Sequence, residues 1–510
     1  MGDLSKLKLA LGQMEVVEGR PSVNERARDA MIEQALDAGA DALVVPNSLT
    51  DESDVGIIGL NDTRIDVSGD VVELFAHGDT YRIGRGEPAH GCDISITADL
   101  FPYTVLAPSR EERAGAIVLR PVGIRDCGKK VFAYDGGTTV RGSDGSVLLS
   151  LRDDFAEDFA VVDFSRPRKE AGSSESKLLD AVVTSLRRFD AQALSYGPKW
   201  VIGLSGGLDS SITAALLVLA LGKDRVVSYN MATRYNSDLT KSNAAKIADA
   251  LDIPLRNGSI EGLVVSLGNT LVQYGYPQDA LKGLVLENVQ ARVRGNLLST
   301  FSAVENGVVI NNGNRVECAL GYATLYGDAI GAFAPIGDLT KVQLFDLAHQ
   351  INARFGREVV PENLLPVVSE DGFEWEMMPS AELANGQRDP MKWFYHDWLI
   401  GQLLGDGADG ALPLYDCACT ILEQYAASRL LDTDAARWVK RYGLDDPKAF
   451  AEDFEWVMGS MQRAAFKRIQ APPVLTLASK ASVLAPQESQ TRREPPLRYN
   501  ALLSAIRSMK

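Results

Sequence analysis

Short apolar runs and one long amphipathic stretch set the pattern at the start of the chain. The runs LKLALGQMEV at 7–16 and DALVVPN at 41–47 predict strands, because apolar residues dominate them. Between them, NERARDAMIEQALDAGA at 24–40 has helical spacing, so the three segments predict a β-α-β unit. Further strand-like runs, the last with two glycine-containing hairpin turns, lie at 93–103, 115–123 and 130–151. An N-terminal α/β domain with much sheet is therefore predicted.

Charged and small polar residues replace this pattern at 165–177, SRPRKEAGSSESK, which is typical of a linker. We therefore predict a first domain at 1–168, a linker at 169–178 and a second domain at 179–510. After the linker, predicted helices at 178–194, 210–222, 241–252 and 288–306 alternate with predicted strands at 200–204, 225–231 and 307–314. Such alternation indicates a doubly wound parallel sheet that binds ligands beyond the carboxyl ends of its strands.

Composition narrows the class of protein. With 510 residues the chain exceeds what one hydrophobic core supports, and 45% hydrophobic residues are ordinary for a folded globular protein. A net charge of -16 opposes binding to nucleic acid or anionic lipid. No membrane-length apolar run or signal-peptide core is visible, so we expect a cytoplasmic protein with small-molecule partners. The cysteines form no disulfide framework or zinc pattern, and we expect mostly buried thiols at Cys92, Cys127, Cys318, Cys417 and Cys419.

The segment GLSGGLDSS at 203–211 joins a predicted strand to a predicted helix and has three interpretations. It could be a simple tight turn, with serine capping the helix. It could be a nucleophile elbow, since Gly203 to Gly207 fits G-x-S-x-G and His349 or His396 could act as base. It could also cradle phosphates with backbone N–H groups and serine hydroxyls. Neither G-K-[ST] nor G-x-G-x-x-G occurs in this segment, and the carboxylate of Asp209 favours a phosphate site that uses magnesium.

The stretch SGGLDSS is similar to the pyrophosphate loop S-G-G-x-D-S of the ATP pyrophosphatases. Other stretches resemble NAD synthetase segments in that family's order: 230–244, 287–296, 311–348, 379–390, 466–474 and 492–496. The resemblance implies an ATP pyrophosphatase fold and a carbon-nitrogen ligase of NAD biosynthesis. Such an enzyme adenylates the carboxylate of nicotinic acid adenine dinucleotide with ATP, then amidates it with ammonia and releases AMP and pyrophosphate.

The same resemblance implies roles for particular residues. Asp209 and Lys341 would be catalytic, and Asp209 with Glu317 would bind magnesium. Other ATP-binding positions would be Gly203, Ser205, Gly206, Gly207, Ser210, Ser211, Arg234, Asn312 and Ser380. The substrate-binding positions would be Asn288, Arg292 and Lys467.

Each of these residues also has an ordinary structural interpretation. Arg292 and Arg294 lie on different sides of one helix, so at least one of them would be structural. Glu317 could be a common helix N-terminal acid. Lys341 could form a surface ion pair with Asp338 or Asp346.

Three departures from the family pattern concern substrate contacts. Asn312 replaces a threonine that contacts ATP, Leu325 replaces a lysine of ammonia-using members, and Ala332 replaces an aspartate. They motivate an alternative function, an AMP-forming amide ligase for a different carboxylate. A second alternative, a non-catalytic homologue that binds nucleotide, is motivated by the first domain. We expect a homo-oligomer, as is usual in the family.

The opening segment at 8–52 resembles the start of a nitrilase-fold glutaminase, the domain that supplies ammonia in glutamine-dependent NAD synthetases. The catalytic positions of that family differ here: Asn47 stands at the general base and Gly86 at the nucleophile, and the segment with the lysine has no counterpart. Cys92 is predicted to be a small buried strand residue. We therefore expect a shortened, degenerate domain without glutaminase activity, and free ammonia as the nitrogen source.

Overall fold

The computed structural model describes residues 3–86, 91–105, 113–166, 176–369, 372–377, 383, 389–406, 413–478, 490–491 and 494–509. The chain divides into two compact units. The N-terminal unit consists of Met1–Tyr103, Ala107–Cys127 and Val131–Phe189, and the C-terminal unit holds Thr104–Leu106, Gly128–Lys130 and Asp190–Lys510. Most of the predicted linker lies outside the described residues, so the domain boundaries drawn from the sequence stay a prediction.

The N-terminal unit is mostly strand. Its strands are β1 (Leu9–Gln13), β2 (Ala42–Pro46), β3 (Val55–Gly59), β4 (Arg64–Ser68), β5 (Val71–Ala76), β6 (Asp79–Arg85), β7 (Ile94–Ala98), β8 (Ala116–Leu119), β9 (Val122–Asp126), β10 (Lys130–Asp135), β11 (Thr139–Arg141), β12 (Val147–Ser150) and β13 (Asp158–Val162). Its helices are α1 (Pro21–Asp37) and most of α2 (Lys177–Ala193). The predicted β-α-β unit is confirmed, since β1 and β2 are parallel and flank α1.

Two sheets and one helix form the layers of this unit. The first sheet has the order β13-β1-β2-β3, and the second has the order β12-β11-β8-β7-β6-β5-β4. Side chains alternate between the two faces of a strand, so Ala10 of β1 packs with Met31 and Ala35 of α1. Leu9 and Leu11 face the opposite side and pack with residues of the second sheet. The first sheet therefore lies between helix and sheet and is buried on both faces.

The predicted turns of this unit are only partly correct. The turn at 142–146 joins β11 and β12 as an antiparallel hairpin, as expected. The glycines Gly136 and Gly137 have positive φ, but they do not close a hairpin. Strand β10 pairs with β9, whereas β11 pairs with β8 and β12 in another sheet, so these glycines let the chain change sheets. The strands β3 to β6 were not predicted.

The C-terminal unit contains the parallel sheet. Its strands are β14 (Lys199–Gly203), β15 (Val226–Ala232), β16 (Leu255–Ser259), β17 (Gly307–Val309), β18 (Val367–Ser369), β19 (Gly372–Glu374) and β20 (Val474–Thr476). Its helices are α3 (Leu208–Leu221), α4 (Asp238–Leu251), α5 (Glu261–Gln273), α6 (Leu284–Val304), α7 (Arg315–Leu320), α8 (Lys341–Phe355), α9 (Tyr395–Leu404), α10 (Leu414–Ala426), α11 (Ala436–Arg441), α12 (Pro447–Arg463), α13 (Ala465–Gln470) and α14 (Leu497–Arg507). Strand β16 and helix α5 were not predicted from the sequence.

The sheet order places a binding site. The strands β16-β15-β14-β17 are all parallel, so the chain order reverses between β14 and β17. Val201 of β14 packs with Leu298 and Phe301 of α6, while α3 also contacts β14 and β15. The predicted doubly wound α/β class is therefore confirmed. A crevice is expected beyond the carboxyl ends of β14 and β17, where their connections diverge.

Two findings bear on expectations from composition. In the part of the chain that the structure describes, no helix combines the length and the apolar character that a membrane span needs. The thiols are not uniformly buried: Cys417 and Cys419 are buried, Cys92 and Cys318 are half-buried, and Cys127 is exposed. Cys92 also lies in the turn before β7 rather than in a strand, because β7 begins only at Ile94.

Candidate active site

A cavity of about 360 Å³ lies where the sheet order predicts a crevice. The residues after β14, the end of β15 and the residues after β17 line it, and so do parts of 317–330 and 467–474. A cavity of this size suits a small organic ligand rather than a macromolecule. Most of the residues that the sequence pattern singles out meet in this cavity.

The glycine-rich loop forms one wall of the cavity. Gly206 has φ +89°, and a Cβ there would lie 2.0 Å from the carbonyl oxygen of Thr240, so only glycine fits. The Ser205 and Ser210 hydroxyl oxygens are 3.0 Å apart, and the Ser211 hydroxyl donates to the Gly207 carbonyl. Gly207 is the N-cap of α3 and provides no side chain, so the first N–H groups of this helix remain available to an anion.

Asp209, in the first turn of α3, holds the central ion pair of the cavity. The Lys341 ammonium nitrogen lies 2.7 and 2.8 Å from the two carboxylate oxygens, and the Asn314 amide donates to one of them at 3.0 Å. The Lys341 side chain is only 3% exposed and that of Asp209 17%. Lys341 is therefore not the surface ion-pair residue of the alternative interpretation, since it bonds to Asp209 inside the cavity.

Charges around Lys341 keep it protonated despite burial. Burial favours the neutral amine, but Asp209 and Glu317 outweigh this effect, and together they raise the pKa of Lys341 above its ordinary value. A permanently charged ammonium group in a closed cavity is suited to contact a polyanion. The same group neutralises Asp209 while the cavity holds no such ligand.

Glu317 is both a helix-capping acid and a cavity residue. It is the third residue of α7, and its carboxylate accepts the N–H of Asn314, the N-cap, at 3.2 Å. Burial, followed by the negative charge of Asp209, raises the pKa of Glu317 to about 8. A buried carboxylate that is this reluctant to ionise next to a second carboxylate is suited to bind a cation.

The cavity residues fit a magnesium ion by their chemistry. Mg²⁺ prefers oxygen ligands and is commonly held by one or two carboxylates together with substrate phosphates and water. Asp209 and Glu317 supply two such carboxylates at one wall. Within the described ranges, no group of three or more His, Cys, Asp or Glu side chains is arranged to enclose a metal, so the remaining ligands would come from a phosphate-bearing substrate.

Asn312 follows β17 and has one unused polar atom. Its amide nitrogen donates to the Gly203 carbonyl at 3.1 Å, which joins the ends of β14 and β17. Its amide oxygen is buried and has no hydrogen-bond partner among the described residues. Because an unpaired buried acceptor is costly, this oxygen is available to a ligand donor in the cavity.

The structure separates the other predicted contacts into two groups. Lys467 lines the cavity, where its ammonium group donates to the Gly321 and Ala323 carbonyls at 2.7 Å each, and burial lowers its pKa. Five predicted residues are not among the described lining residues: Gly206 and Ser211 of the glycine-rich loop, Arg234, Arg292 and Asn288. Arg234 is paired with Glu261 at the surface, Arg292 is exposed on α6, and Asn288 accepts a hydrogen bond from Thr324.

One further prediction falls outside the structure. Ser380, the expected hydroxyl residue of the ATP site, lies outside the described residues. Asp389, in the same predicted segment at 379–390, is described and lines the cavity.

Sequence reasoning missed two residues of the site: Arg294, which lines the cavity, and Asn314, whose amide donates to Asp209. Arg294, not Arg292, lines the cavity, and its guanidinium group donates to the Met231 carbonyl at 3.1 Å. Asn314 was passed over, although it stands three residues before Glu317, which is the spacing of a capping box. That spacing could have identified Asn314, whereas the choice between the two arginines depends on how α6 packs.

Neither histidine of the nucleophile-elbow interpretation is among the described residues that line the cavity of Ser205. His349 is exposed on α8. His396 is fully buried on α9, where its ring accepts the Lys392 N–H and contacts Asp453 at 3.1 Å. The positive φ also belongs to Gly206 rather than to the serine.

The N-terminal unit presents different chemistry at the matching strand end. Asn47 follows β2, and its amide donates to the Asp54 carboxylate at 3.1 Å. Gly86 follows β6 with φ +81°, and a Cβ there would contact nothing within 4 Å. The two cysteines of this part of the chain, Cys92 and Cys127, lie before β7 and after β9.

Comparison with known proteins agrees with this architecture. A family model described as NAD synthase matches residues 182–405. A glutamine-dependent NAD(+) synthetase from a Synechocystis species is 33% identical over 270 residues, which are 51% of this chain and 46% of that protein. One from Xanthomonas campestris pv. campestris is 30% identical over 382 residues, 72% of this chain and 59% of that protein. The chain thus spans about half the length of the curated relatives it matches.

A solved structure covers almost the whole chain. The crystal structure of a glutamine-dependent NAD(+) synthetase from Cytophaga hutchinsonii is 13% identical and covers 98% of this chain and 99% of its own, with a TM-score of 0.67. At that identity it shows the fold: a nitrilase-like N-terminal domain and a C-terminal domain with a parallel sheet. Together with the family model, the sequence and the cavity, these comparisons show that residues 182–405 of this chain are similar to the NAD synthase family.

Proposed function

We propose that the protein amidates the nicotinate carboxylate of nicotinic acid adenine dinucleotide, consuming ATP and ammonia and releasing AMP and pyrophosphate. The observation that carries this proposal is the buried pair of Asp209 and Lys341 at the N-terminus of α3. A helix N-terminus, a protonated lysine and two carboxylates suited to a divalent cation together provide what a triphosphate requires.

The first step would be adenylation of the carboxylate. A carboxylate oxygen of the substrate attacks the α-phosphorus of ATP, the bond to the β-phosphate oxygen breaks, and pyrophosphate leaves with the additional charge. The N–H groups after Gly207 and the Ser205 and Ser210 hydroxyls would stabilise that charge. Magnesium held by Asp209 and Glu317 would supply further positive charge at the phosphates.

Lys341 would move between two anions during this step. In the structure its ammonium group neutralises Asp209. With a triphosphate and its divalent cation bound, Asp209 would hold the cation, and the Lys341 ammonium group would contact the phosphates instead of Asp209. This exchange keeps the buried carboxylate neutralised before and after substrate binds.

The second step would be attack of ammonia on the acyl carbon of the adenylate. The nitrogen forms the amide bond, AMP leaves with the electrons of the acyl–oxygen bond, and a proton is released. Holding the adenylate and ammonia together supplies about 7–11 kcal/mol of the barrier reduction by proximity.

The nitrogen source is proposed to be free ammonia. A nitrilase-type glutaminase needs a carboxylate to deprotonate its thiol, but the strand end after β2 carries Asn47, which cannot accept a proton at neutral pH. The position of the nucleophile carries Gly86. We therefore infer that the N-terminal domain is degenerate and has a structural role.

We further propose that the protein is a homo-oligomer, with a second copy covering an apolar surface formed by α5, the start of α6 and the residues between them. Tyr274 is 80% exposed, Leu284 70%, Tyr276 57% and Leu263 50%. Soluble monomers rarely expose so many large apolar side chains close together in the chain. Light scattering after size-exclusion chromatography should give the wild type a molar mass of at least a dimer. The double variant Tyr274→Glu/Leu284→Glu should have a lower molar mass than the wild type. A monomeric wild type would contradict this proposal.

The function is tested by incubating purified protein with ATP, Mg²⁺ and nicotinic acid adenine dinucleotide, adding either ammonium or glutamine, and measuring NAD and AMP. We expect both products with ammonium and little NAD with glutamine. Equal NAD formation from glutamine would overturn the proposed nitrogen source. Absence of AMP with both donors would favour a nucleotide-binding protein without catalytic activity.

A second candidate function keeps the adenylation and changes the acid. The unpaired Asn312 amide oxygen favours it, because this acceptor differs from the threonine hydroxyl of the family and would select a different hydrogen-bond donor. AMP formation is therefore also to be measured with other nucleotide-linked and aromatic carboxylates. AMP release that depends on one of these acids, and not on the nicotinate dinucleotide, would establish this alternative.

A further inference from the structure

Lys341 begins helix α8, and its main chain needs a partner. The first N–H groups of a helix have no acceptor inside it. The N-cap Thr340 and Gln343 satisfy each other, with the Gln343 N–H donating to the Thr340 hydroxyl and the Thr340 N–H donating to the Gln343 side chain. The Lys341 N–H instead donates to the carboxylate of Asp397, on α9, at 2.6 Å.

The second oxygen of the same carboxylate holds a turn. It accepts the N–H of Phe394 at 2.8 Å. Phe394 has φ +69° and ψ −48°, a conformation that side-chain-bearing residues rarely adopt and that persists only where the surroundings impose it. Its ring is fixed by stacking on Trp438, with centroids 4.4 Å apart.

This turn determines where the preceding residue, Trp393, lies. The Lys341 ammonium nitrogen lies 5.0 Å from the centre of the Trp393 ring, within the range of a cation–π contact. The Trp393 carbonyl accepts the Tyr442 hydroxyl at 3.2 Å, and the Trp393 side chain is buried. The Trp393 ring therefore restrains the Lys341 ammonium group. The position of this ring depends on the turn at Phe394, which the Asp397 carboxylate holds.

We propose that Asp397 is a positioning residue for Lys341, since its carboxylate fixes both the main chain of Lys341 and the turn that carries Trp393 against the ammonium group. This inference rests on the proposed function of the cavity. A lysine side chain has many rotamers, and a carboxylate that restrains its base and its tip reduces the search before phosphates arrive. Asp397 does not itself line the cavity in the described ranges.

A neighbouring carboxylate provides a matched control. Asp453, on α12, is also buried, and it contacts the side chains of Lys392 and His396. Both carboxylates thus stabilise the region around 392–397. Asp453 binds side chains there, whereas Asp397 binds the main chain of Lys341. If Asp397 had a purely structural role, its substitution and that of Asp453 would change kcat/KM for ATP by similar factors.

The experiment compares Asp397→Asn with Asp453→Asn in the full chain. Asparagine keeps one acceptor but presents an NH₂ group to the second N–H. We expect Asp397→Asn to lower kcat/KM for ATP in AMP formation about 10²-fold, with the KM of the dinucleotide unchanged. Asp453→Asn should lower Tm at least as much while keeping kcat/KM for ATP within about threefold. Equal kinetic losses in the two variants, or wild-type kinetics in Asp397→Asn, would overturn the proposal.

A spectroscopic readout separates positioning from general loosening. The chain has six tryptophans, so 5-fluorotryptophan labelling gives a small set of ¹⁹F resonances, and Trp393→Phe assigns one of them. The Trp393 resonance should shift in Asp397→Asn and not in Asp453→Asn. An unshifted resonance in Asp397→Asn would contradict the proposal.

A second pair of variants decides the matter if Asp397→Asn does not fold. Trp393→Phe keeps an aromatic face for the ammonium group, and Trp393→Leu removes it. We expect the first to retain kcat/KM for ATP within about threefold and the second to lose about tenfold. Equal values in both would overturn the positioning role. A wild type that forms no AMP with any acid would instead refute the proposed function, so the two failures are distinguishable.

Discussion

The carboxyl ends of two buried strands, β14 in the C-terminal unit and β2 in the N-terminal unit, carry very different side chains. After β14 comes Asp209, which pairs with Lys341 of α8 inside a cavity. After β2 comes Asn47, whose amide bonds to the exposed Asp54 in a surface loop. Each is the carboxyl end of a strand that has a parallel neighbour. The end of β14, however, carries a charged side chain that lies inside a cavity, whereas the end of β2 carries an amide.

This difference concerns the free energy of burying charge. An ionised group removed from water destabilises a protein unless a counter-charge and hydrogen bonds compensate. The cavity holds such groups together, and the raised pKa of Glu317 shows that compensation is incomplete. An amide in a surface loop carries no such cost. We infer that ligand binding, rather than folding, explains why the C-terminal unit retains its charges.

The largest expected effect follows from neutralising the Asp209 carboxylate, which lies after β14. Asp209→Asn keeps the shape of the side chain and removes the charge that would bind the metal. We expect AMP formation to fall about 10³-fold, measured with ATP and the nicotinate dinucleotide. The equivalent change at the other strand end, Asp54→Asn, should leave the rate unchanged. An active Asp209→Asn enzyme would refute the metal role.

Removing the positive charge of Lys341 should weaken the use of ATP and strengthen the binding of a divalent cation, and the loss of activity should be smaller than that of Asp209→Asn. Lys341→Met should lower kcat/KM for ATP about 10²-fold. Without nucleotide, the same variant should bind Mn²⁺ at least about tenfold more tightly than wild type, because Asp209 and Glu317 lose a competing cation. Paramagnetic resonance measures this binding directly. Lys467→Met serves as the control, since its ammonium group contacts backbone carbonyls; unchanged Mn²⁺ affinity in Lys341→Met would contradict the exchange of cations at Asp209.

The pKa of Glu317 predicts a moderate change in stability with pH. Burial raises this pKa from 4.5 to about 8, so between these values the folded protein binds a proton that the unfolded chain has lost. Stability must therefore fall as pH rises through this window. Glu317→Gln removes the effect, so in EDTA its Tm should exceed that of wild type by roughly 3–6 °C at pH 8.5, with a smaller gain at pH 5.

The exposed Glu374→Gln is the control for this pH series, since its side chain lies in water. Its Tm should follow that of wild type at every pH. A Glu317→Gln protein whose Tm also parallels wild type across the range would show that Glu317 ionises normally in the folded state.

The smallest expected effect belongs to the N-terminal unit. Cys92→Ala should change ammonium-dependent NAD formation by less than about twofold, because half-buried Cys92 lies before β7 in the proposed degenerate domain, outside the cavity of the C-terminal unit. Radiolabelled glutamine provides a sensitive measure of any hydrolysis. If the wild type hydrolysed glutamine and Cys92→Ala abolished this activity, the N-terminal domain would be an active glutaminase, and the proposal that it is degenerate would be wrong.

Local sequence was sufficient for the glycine-rich loop. Gly206 adopts the positive φ that its neighbours in sequence predict, and α3 ends at Gly222 as expected. Both depend on backbone sterics, which act over a few residues. The predicted hairpin at Gly136 was wrong because local backbone sterics do not decide which strands pair. A glycine pair permits a sharp turn, but the strands to which the chain then pairs are far away in sequence.

The arginines of α6 show where local reasoning ends. Arg292 and Arg294 have equal claims from the sequence, and helical periodicity only states that they face different sides. The packing of α6, with Val289 and Val293 in an apolar cluster, turns Arg294 toward the cavity and leaves Arg292 exposed. Which face of a helix is functional depends on its neighbours in space.

The sequence by itself determined the α/β class, the glycine-rich loop, the candidate carboxylates and the family resemblance, because these depend on periodicity, backbone sterics and residue type. Only the tertiary structure decided that Lys341 bonds to Asp209, which lies 132 residues earlier in the chain, and that Asp397 holds both Lys341 and the turn at Phe394. Such partners are chosen by the packing of helices from distant segments. Their energies arise from charges and N–H groups that become buried together only after the chain has folded.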